Sequence, residues 1–298
     1  MTTLLTCLSE RQIPYTQQEP MYRHTTFRTG GNARLFIMPQ SEAMLAQTLQ
    51  LCAQFGEAPF ILGNGSNLLV PDDGLDRVVI QIGDGLDTVK RVDACTIEAG
   101  AGATLAKVCK FALEESLAGL AFAYGIPGTV GGAAFMNAGA YGGEMKQVIS
   151  AVRFLDLNGR PGELSGEALQ FGYRSSAFQS MHVVITSVVM RLQKGDATAI
   201  EADMRDLLSR RKDKQPLEYP SAGSVFKRPE GYFAGALIEQ CGLKGKTIGG
   251  AQVSEKHAGF IINIGSATTK DVTDLIAYCQ KTVLEQCGVL LEPEIKCI

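Results

Sequence analysis

Runs of apolar and β-branched residues alternate with amphipathic stretches along the first two-thirds of the chain. The apolar runs predict strands, and apolar residues that recur every three to four positions predict helices. The predicted strands are Arg34 to Met38, Phe60 to Leu62, Val78 to Ile82, Thr96 to Ala99, Val148 to Leu157 and His182 to Leu192. This alternation predicts a domain that mixes helices with sheets.

Two helices are predicted between these strands from their terminal residues. The first runs from Ser41, a suitable N-cap, to Phe55, and Gly56 is a typical C-terminal stop. Thr104 caps the second helix, whose apolar residues fall on one face. Asn158-Gly159 is a hairpin turn signal after the strand that ends at Leu157.

The composition changes after this part. Ile200 to Lys214 is charged and helical, and we interpret its basic end as a solvated helix terminus that complements the helix dipole. A new unit begins near Gln215, with predicted helices at Ala234 to Gln240 and Lys270 to Gln286. Thr268 and Asp271 form a capping-box pattern before the second of these.

We therefore predict an α+β protein of two domains. The larger, nucleotide-binding domain takes residues 1–197, and an α/β domain of about a hundred residues takes 198–298.

Two glycine-rich segments supply the candidate chemistry. The first, Ile61 to Val70, contains Gly63-Asn64-Gly65-Ser66-Asn67, and the second runs from Tyr124 to Gly143. No charged residue lies between Glu115 and Glu144, but the glycines and Pro127 break any membrane-spanning helix. Such segments offer backbone N–H groups and small polar side chains, which can hold a diphosphate without a nearby cation.

Two common nucleotide motifs do not fit these segments. A P-loop needs a Lys-Ser/Thr pair after its glycines, and neither segment has one. The Rossmann fingerprint G-x-G-x-x-G is only half present at Gly63 and at Gly100, and no suitably spaced acidic residue follows. Two separate glycine loops in one α+β domain suit a long cofactor such as FAD.

Charge and composition narrow the function classes. The 298-residue chain has a formal net charge of −3, which argues against nucleic acid or an anionic membrane as the main partner. Its eight cysteines form no CxxC pair and it has three histidines, so reduced thiols are favoured over a disulfide framework, and no metal site is expected. The N-terminus lacks a basic n-region, so we expect a cytoplasmic protein; its oligomeric state stays open, and a monomer is compatible with the sequence.

Eight motifs occur in the order typical of one enzyme family. They are Thr26-Phe27-Arg28-Thr29-Gly30-Gly31, Leu62-Gly63-Asn64-Gly65-Ser66-Asn67, Gly125-Ile126-Pro127-Gly128-Thr129-Val130-Gly131-Gly132-Ala133, Met136-Asn137-Ala138-Gly139-Ala140-Tyr141-Gly142, Tyr173-Arg174-Ser175-Ser176-x-Phe178, Ala222-Gly223-Ser224-Val225-Phe226-Lys227-Arg228-Pro229, His257-Ala258-Gly259-Phe260 and Leu291-Glu292-Pro293-Glu294-Ile295. The chain resembles the UDP-N-acetylenolpyruvoylglucosamine reductase family from about His24 to Ile295. The short segment before Tyr173 and the arginine at 228 resemble its type II branch.

The resemblance implies a fold and an activity. The fold is an FAD-binding domain of the vanillyl-alcohol-oxidase (PCMH) type with a smaller C-terminal substrate domain, whose last strand contributes Glu294 to the active site. The reaction is reduction of the enolpyruvyl ether of UDP-N-acetyl-3-O-(1-carboxyvinyl)-glucosamine to UDP-N-acetylmuramate, a cytoplasmic step of peptidoglycan precursor synthesis in bacteria. Hydride passes from NADPH to FAD and then to the substrate. The implied partners are therefore the sugar nucleotide and NADPH, with no membrane insertion.

The resemblance also implies roles for individual residues. Ser224 protonates the substrate, while Arg174 and Glu294 stabilise the enolate; the residues alone do not choose between Glu294 and Glu292. The implied cofactor contacts are Gly63, Asn64, Gly65, Ser66, Asn67, Ile126, Pro127, Gly128, Thr129, Gly131, Gly132, Asn137, Gly139 and Ala140. The implied substrate contacts are Tyr141, Arg228, Lys244 and His257.

Other functions stay open on the sequence alone. Some enzymes of the same fold tether their flavin to His or Cys, but neither glycine loop contains either residue, so we expect non-covalent FAD. Another FAD-dependent oxidoreductase of this fold is the alternative enzyme. A flavin- or nucleotide-binding sensor would need no proton donor at Ser224 and no carboxylate at Glu294.

Overall fold

Polar caps and glycine stops set the helix ends that the sequence predicts. The computed structural model describes residues 2–298, and within them the chain forms seven α-helices. They are α1 Leu4–Glu10, α2 Glu42–Gln54, α3 Leu105–Glu114, α4 Val130–Phe135, α5 Ala197–Lys214, α6 Ala234–Gln240 and α7 Thr269–Cys287. No helix in this described part of the chain is both long and apolar enough to cross a membrane.

The strands are short, and many contain only two or three residues. In chain order they are β1 Tyr15–Pro20, β2 Asn32–Ile37, β3 Phe60–Leu62, β4 Leu68–Leu69, β5 Leu75–Gln81, β6 Val89–Arg91, β7 Thr96–Gly100, β8 Leu117–Ala118, β9 Gly139–Ala140, β10 Gly143–Glu144, β11 Ile149–Asp156, β12 Pro161–Ser165, β13 Val183–Arg191, β14 Gln193–Lys194, β15 Thr247–Ile248, β16 Ala251–Val253, β17 Ile261–Asn263 and β18 Lys296–Cys297.

The caps predicted from the sequence are present. The Ser41 side chain accepts from the Met44 amide at the start of α2, and Thr104 accepts from Lys107 at the start of α3. Thr268 and Asp271 form the capping box of α7, and Gly288 ends that helix in the left-handed conformation. The six predicted strands and five predicted helices are all confirmed, with ends that differ by a few residues.

Two compact units divide the described chain. Unit 1 comprises residues 2–17, Leu35–Asn64 and Arg77–Arg210. Unit 2 comprises Gln18–Arg34, Gly65–Asp76 and Arg211–Ile298. The predicted boundary between 197 and 198 coincides with the start of α5, and it stays a prediction for the functional domains.

Unit 1 contains an antiparallel sheet in the order β12-β11-β13-β7-β6. The hairpin β11–β12 turns at Asn158-Gly159, as its sequence predicts, and Gly159 has a φ of 76°. Helix α4 packs against β13 and β7, and also against α3. Buried apolar residues of these elements form one continuous core, to which Val108, Val152 and Val188 contribute fully buried side chains.

Unit 2 is built around α7. This helix packs against α6 and against the antiparallel sheet β15-β16-β17, and its buried face includes Val272, Leu275 and Cys279. Strand β18 pairs in parallel with β4. Phe27 is fully buried in the same core, which explains why an N-terminal stretch belongs to this unit.

Hydrogen bonds fasten the N-terminal stretches of unit 2 to its C-terminal part. The Thr26 hydroxyl donates to the Ser221 carbonyl at 2.6 Å, and Asn263 donates to the Phe27 carbonyl at 3.2 Å. Asp72 accepts from the Thr269 amide at 2.7 Å, at the first residue of α7. These contacts join residues that are about 200 positions apart, and no local pattern in the sequence predicts them.

Candidate active site

The two glycine loops approach each other in unit 1. A Cβ atom at Gly63 would lie 2.7 Å from Oγ1 of Thr129, closer than real Cβ contacts allow. Thr129 itself is buried, and its side chain caps α4 by accepting from the Gly132 amide at 3.3 Å. Glycine at 63 therefore lets the first loop pass directly beside the start of α4, where the second loop ends.

Close packing also explains part of the second loop. A Cβ at Gly131 would lie 2.8 Å from the Cβ of Ala101, and the Gly131 amide donates to the Ala101 carbonyl at 2.9 Å. The Gly132 amide is bonded to Thr129 as described above. These two amides are committed to protein acceptors, and the loop positions before them, Ile126 to Gly128, are partly or fully accessible.

The first loop continues into unit 2 after Asn64. Gly65 has a φ of 59°, and a Cβ there would collide with the carbonyl oxygen of His24. Ser66 and Asn67 follow, both half-buried. The Asn67 amide side chain donates to the Glu294 carbonyl at 3.3 Å, so this loop residue lies beside the C-terminal segment that contains Glu294, a candidate catalytic residue.

Arg174 lies on a tight turn of unit 1. Gly172 and Ser175 pair across this turn through reciprocal backbone hydrogen bonds of 3.0 and 3.3 Å. Arg174 has a φ of 53°, and its Nη2 donates to the Gly139 carbonyl at 3.2 Å. Its guanidinium carbon lies 5.1 Å from the centre of the exposed Tyr173 ring. The turn thus joins the candidate arginine to the Asn137-to-Ala140 segment.

Tyr141 lies at the tip of the hairpin formed by β9 and β10. Tyr141 and Gly142 have φ values of 53° and 84°, as in a two-residue turn with positive φ at both central positions. The Tyr141 side chain is 42% exposed. The hairpin therefore presents an accessible phenol next to Gly139 and Ala140.

Ser224 and Glu294 lie on neighbouring extended segments of unit 2. The Glu294 amide donates to the Val225 carbonyl at 2.7 Å, and Phe226 pairs with Pro293 in a β-bridge. On its other side Ser224 pairs with Phe260. Ser224 is exposed and Glu294 is half-buried, so both candidate groups are accessible.

The structure separates the two nearby glutamates. Glu292 is exposed and forms an ion pair with Lys227 at 3.1 Å. Glu294 is less exposed, and its backbone is held between Val225 and Asn67. The two glutamates thus differ in exposure and in their partners, and the choice of Glu294 as the catalytic glutamate stays a prediction.

Three of the predicted substrate contacts lie near α6 in unit 2, namely Arg228, Lys244 and His257. The guanidinium of Arg228 stacks 4.0 Å from the centre of the exposed Phe233 ring, directly before α6. Lys244 follows this helix and pairs with Glu239 at 2.7 Å. These three predicted substrate contacts therefore lie in one unit with Ser224, whereas Tyr141 lies in unit 1.

The surroundings of the His257 ring favour its neutral form. Burial lowers the pKa of His257 below its ordinary value, and the nearby Lys244 lowers it further. Its Nδ1 accepts from the Gly259 amide at 3.1 Å. The lowered pKa favours the neutral ring, and a neutral ring that accepts at Nδ1 carries its proton on Nε2.

Asn137 is completely buried, and its side chain is used within unit 1. Its amide donates to Glu144 at 2.7 Å and to the Gly172 carbonyl at 2.8 Å. The cofactor contact assigned to Asn137 by resemblance stays a prediction, because these protein contacts leave little of the side chain to a ligand.

Two residues near Arg174 are absent from the sequence-based candidates. Glu144 has a lowered pKa because Lys146 and Asn137 hydrogen-bond to it, and the charge of Arg174 adds to this. Gln179 donates to the Arg174 carbonyl at 2.9 Å. One signal in the sequence pointed to Glu144, since it is the first charged residue after the uncharged glycine-rich segment.

Within residues 2–298, no group of three or more His, Cys, Asp or Glu side chains is arranged to hold a metal ion. The eight cysteines are free thiols, four of them buried, and the Sγ atoms of Cys241 and Cys287 lie 3.6 Å apart.

Two family models match the chain. The model described as FAD binding domain matches residues 33–165. The model described as UDP-N-acetylenolpyruvoylglucosamine reductase, C-terminal domain, matches residues 215–298. These matches confirm the predicted α+β architecture, an FAD-binding domain followed by a smaller C-terminal domain.

Curated relatives match over nearly the whole chain. A UDP-N-acetylenolpyruvoylglucosamine reductase of Clostridium perfringens (strain SM101 / Type A) is 50% identical over 283 residues, which cover 95% of this chain and 92% of the relative. One of Limosilactobacillus fermentum is 47% identical over 298 residues, which cover 100% of this chain and 98% of the relative.

Solved structures give the same result. The crystal structure of UDP-N-acetylenolpyruvylglucosamine reductase from Thermus caldophilus superposes with a TM-score of 0.80 at 33% identity, covering 96% of this chain and 98% of that one. A berberine bridge enzyme variant superposes with a TM-score of 0.51 at 16% identity over 65% of this chain and 44% of its own, a likeness of fold alone.

Proposed function

The chain belongs to the UDP-N-acetylenolpyruvoylglucosamine reductase family and contains an FAD-binding domain, and on that premise we propose the following reaction. The protein reduces the enolpyruvyl ether of UDP-N-acetyl-3-O-(1-carboxyvinyl)-glucosamine to UDP-N-acetylmuramate, with NADPH as the electron donor. Two hydrogens are added across the carbon–carbon double bond. We place this reaction in the cytoplasm, as a step of peptidoglycan precursor synthesis.

The residues of unit 1 fit a bound FAD. Gly63 passes so close to Thr129 that no side chain could stand between the two loops. The second loop contributes small residues and hydroxyls and no charged side chain, which suits backbone contacts to a diphosphate. When bound, FAD supplies two-electron transfer between NADPH and the enolpyruvyl group.

Arg174 is assigned to the substrate carboxylate. Electron transfer to the double bond places negative charge on the carbon that bears the carboxylate, and this charge spreads onto the carboxylate oxygens. A guanidinium is permanently charged and offers a planar pair of donors to such a group. Its hydrogen bond to the Gly139 carbonyl limits the motion of the side chain before substrate binds.

Ser224 is assigned as the proton donor. Its Oγ–H would protonate the carbon that carries the developing charge, and a hydroxyl is acidic enough for this only because that carbon is strongly basic. The exposure of Ser224 allows access to substrate. The pairing of Ser224 with Phe260 fixes the backbone from which the hydroxyl projects.

Glu294 is assigned to the enolate together with Arg174, and it acts there as the carboxylic acid, because only an O–H group can donate a hydrogen bond to that negative charge. This assignment is supported by the position of Glu294 and Ser224 on adjacent extended segments. A 2.7 Å hydrogen bond from the Glu294 amide to the Val225 carbonyl joins the two segments. A carboxyl group and a hydroxyl are thus held on neighbouring backbone, as proton donation and charge stabilisation at one carbon require. Arg228, Lys244, His257 and Tyr141 are assigned to the sugar nucleotide.

A product analysis tests the proposed reaction. Purified holoenzyme is incubated with NADPH and UDP-N-acetylglucosamine enolpyruvate, and the sugar nucleotide is examined by mass spectrometry. The proposal predicts a gain of two hydrogens, and the one that is delivered as a proton is a deuterium when the reaction is run in deuterated water. An enzyme that oxidises NADPH and leaves this sugar nucleotide unchanged would contradict the substrate assignment and favour another FAD-dependent oxidoreductase of the same fold.

A further inference from the structure

Asn137 is buried at the C-terminal end of α4, and its polar atoms all have protein partners. It is 0% exposed, and its φ of 43° is a left-handed conformation that asparagine tolerates better than most residues. Nδ2 donates to Glu144 Oε2 at 2.7 Å and to the Gly172 carbonyl at 2.8 Å, and Oδ1 accepts from the Lys146 amide at 2.9 Å. A buried amide with three short hydrogen bonds is well ordered.

These hydrogen bonds connect segments that are distant in sequence. Glu144 and Lys146 belong to the end of the β9–β10 hairpin and the turn after it, whereas Gly172 begins the turn that carries Arg174. Without the Asn137 side chain, the Gly172 carbonyl would lose this donor, and the segment that carries the hairpin would lose one of its hydrogen bonds to that turn.

The same segment also holds the guanidinium of Arg174. Gly139, two residues after Asn137, accepts from Arg174 Nη2 at 3.2 Å. Residues 137 and 139 therefore fix the Arg174 turn at two points, one on its backbone at Gly172 and one at the end of the side chain. Because the positive φ of Arg174 is costly for a residue other than glycine, the turn depends on such surrounding contacts.

We infer that Asn137 is a positioning residue for Arg174: its side-chain hydrogen bond to the Gly172 carbonyl sets the place of the guanidinium for the enolpyruvyl carboxylate. This inference rests on the proposed function, since it assigns Arg174 to the oxidative half-reaction, in which the reduced enzyme reduces the sugar nucleotide. Reduction of the flavin by NADPH needs no carboxylate clamp and would not depend on Asn137.

The test compares Asn137→Gly and Asn137→Asp in the FAD-loaded enzyme. Glycine suits the positive φ at this position, and aspartate tolerates it, so neither change adds backbone strain. Aspartate keeps the shape but places an oxygen where the amide donated to Glu144 and Gly172, so it replaces both hydrogen bonds by repulsion. The matched control is Gln147→Ala, which removes the acceptor of the Glu144 amide at 3.1 Å in the same segment and leaves the Arg174 turn untouched. Both half-reactions are measured by anaerobic stopped-flow absorbance of the flavin.

The expected result is a split between the two half-reactions. Both Asn137 variants keep their FAD and are reduced by NADPH within about 2-fold of the wild type, while reoxidation by UDP-N-acetylglucosamine enolpyruvate slows about 10- to 100-fold. Gln147→Ala stays within about 2-fold in both. In an Arg174→Ala background, Asn137→Gly adds less than about 2-fold, because the group it positions is already absent.

Three outcomes would overturn the inference. The first is loss of FAD with unchanged rates per bound flavin, which would indicate a role in cofactor binding. The second is equal slowing of both half-reactions. The third is that Asn137→Gly slows reoxidation as much in the Arg174→Ala background as in the wild type. A wild-type enzyme that is reduced by NADPH but not reoxidised by the sugar nucleotide would instead contradict the proposed function. Hydrogen exchange at Gly172 and Ser175 would then still decide the positioning role, because it rises in Asn137→Gly and not in Gln147→Ala if Asn137 holds the turn.

Discussion

The first glycine loop illustrates how single residues limit the approach of one backbone to another. Gly65 combines a positive φ with direct contact to the His24 carbonyl, so a side chain at this position is excluded twice. Gly242 also has a positive φ, of 69°, but a Cβ there would meet nothing within 4 Å. A comparison of the two positions therefore separates the cost of a positive φ from the cost of a steric clash when glycine is replaced.

We predict that Gly65→Ala lowers the free energy of unfolding by about 2–4 kcal/mol, since strain and overpacking add. Gly242→Ala, the control, lowers it by about 1 kcal/mol through strain alone. Chemical denaturation measures both. Equal losses in the two variants would show that the His24 carbonyl does not restrict the position.

The two C-terminal glutamates provide a second comparison of single residues. We predict that Glu294→Gln slows reoxidation of the reduced enzyme by the sugar nucleotide at least about 100-fold, with reduction by NADPH unchanged. Ser224→Ala gives the same split because the proton donor is lost.

Glu292→Gln is the matched control, since Glu292 is exposed and forms a surface ion pair with Lys227. It is expected to keep both half-reactions within about 2-fold. If Glu292→Gln caused the larger loss, the assignment of Glu294 would be wrong.

At the scale of elements, α7 shows how much one cap contributes. Asp271 accepts from the Thr268 amide at 3.0 Å and from the Gly250 amide at 3.1 Å, and these two bonds lower the pKa of its carboxyl group. A lowered folded-state pKa means that the stabilisation is present above the unfolded pKa, near 4, and is lost as the pH falls through the folded value.

We predict that Asp271→Asn lowers the free energy of unfolding by about 1 kcal/mol at pH 7, and that the difference from the wild type shrinks below about pH 4. The control is Asp274→Asn on the same helix, whose exposed ion pair with Lys270 at 2.7 Å is expected to contribute much less than the cap. Urea denaturation at pH 7 and pH 3 measures both. A difference that stayed constant down to pH 3 would contradict the role of the ionised cap.

Local patterns predicted these elements well. Ser41, Thr104 and Thr268 are caps in the structure as in the sequence, and the periodicity of α7 gives its buried face. Two-residue strands such as β8 and β14 were missed, because runs this short show no repeat of the alternation. Helix α1 was also missed, although α6, which is equally long, was predicted. Strands β8 and β14 pair with each other although they lie far apart in the sequence.

At the scale of the whole molecule, the sequence predicted two domains but not their composition. Thr26 and Asp72 belong to unit 2, where they hydrogen-bond to Ser221 and Thr269. These partners are about 200 positions away in the sequence, so no local pattern indicates the contacts. The candidate active site was likewise predicted only in part from the sequence. Motif order indicated Arg174, Ser224 and Glu294, whereas the hydrogen bonds of Asn137 to Glu144 and Gly172 depend on the folded chain.

Buried thiols make the stability of the whole molecule sensitive to alkaline pH. Burial raises the pKa of Cys109 and of Cys279 to about 12. Because a thiol in the unfolded chain ionises near pH 9, the stabilisation from each is fully present below pH 9 and is lost as the pH rises towards 12.

We predict that the stability difference between the wild type and Cys279→Ala shrinks above pH 9, by up to about 1.4 kcal/mol per pH unit. Urea denaturation of both proteins from pH 8 to pH 11 measures it. Cys297→Ala, at an exposed position near the C-terminus, is expected to show a much smaller change. A constant difference between wild type and Cys279→Ala over this range would show that the Cys279 thiol ionises equally in both states.

An anaerobic two-step titration of the wild-type holoenzyme tests the proposed cofactor and substrate in one experiment. NADPH is added until the flavin absorbance bleaches, and UDP-N-acetylglucosamine enolpyruvate is then added in equal amount. We predict rapid return of the oxidised flavin spectrum, with one sugar nucleotide consumed per flavin. Bleaching without return would contradict the substrate assignment, and a protein that binds no FAD would contradict the cofactor and the reaction together.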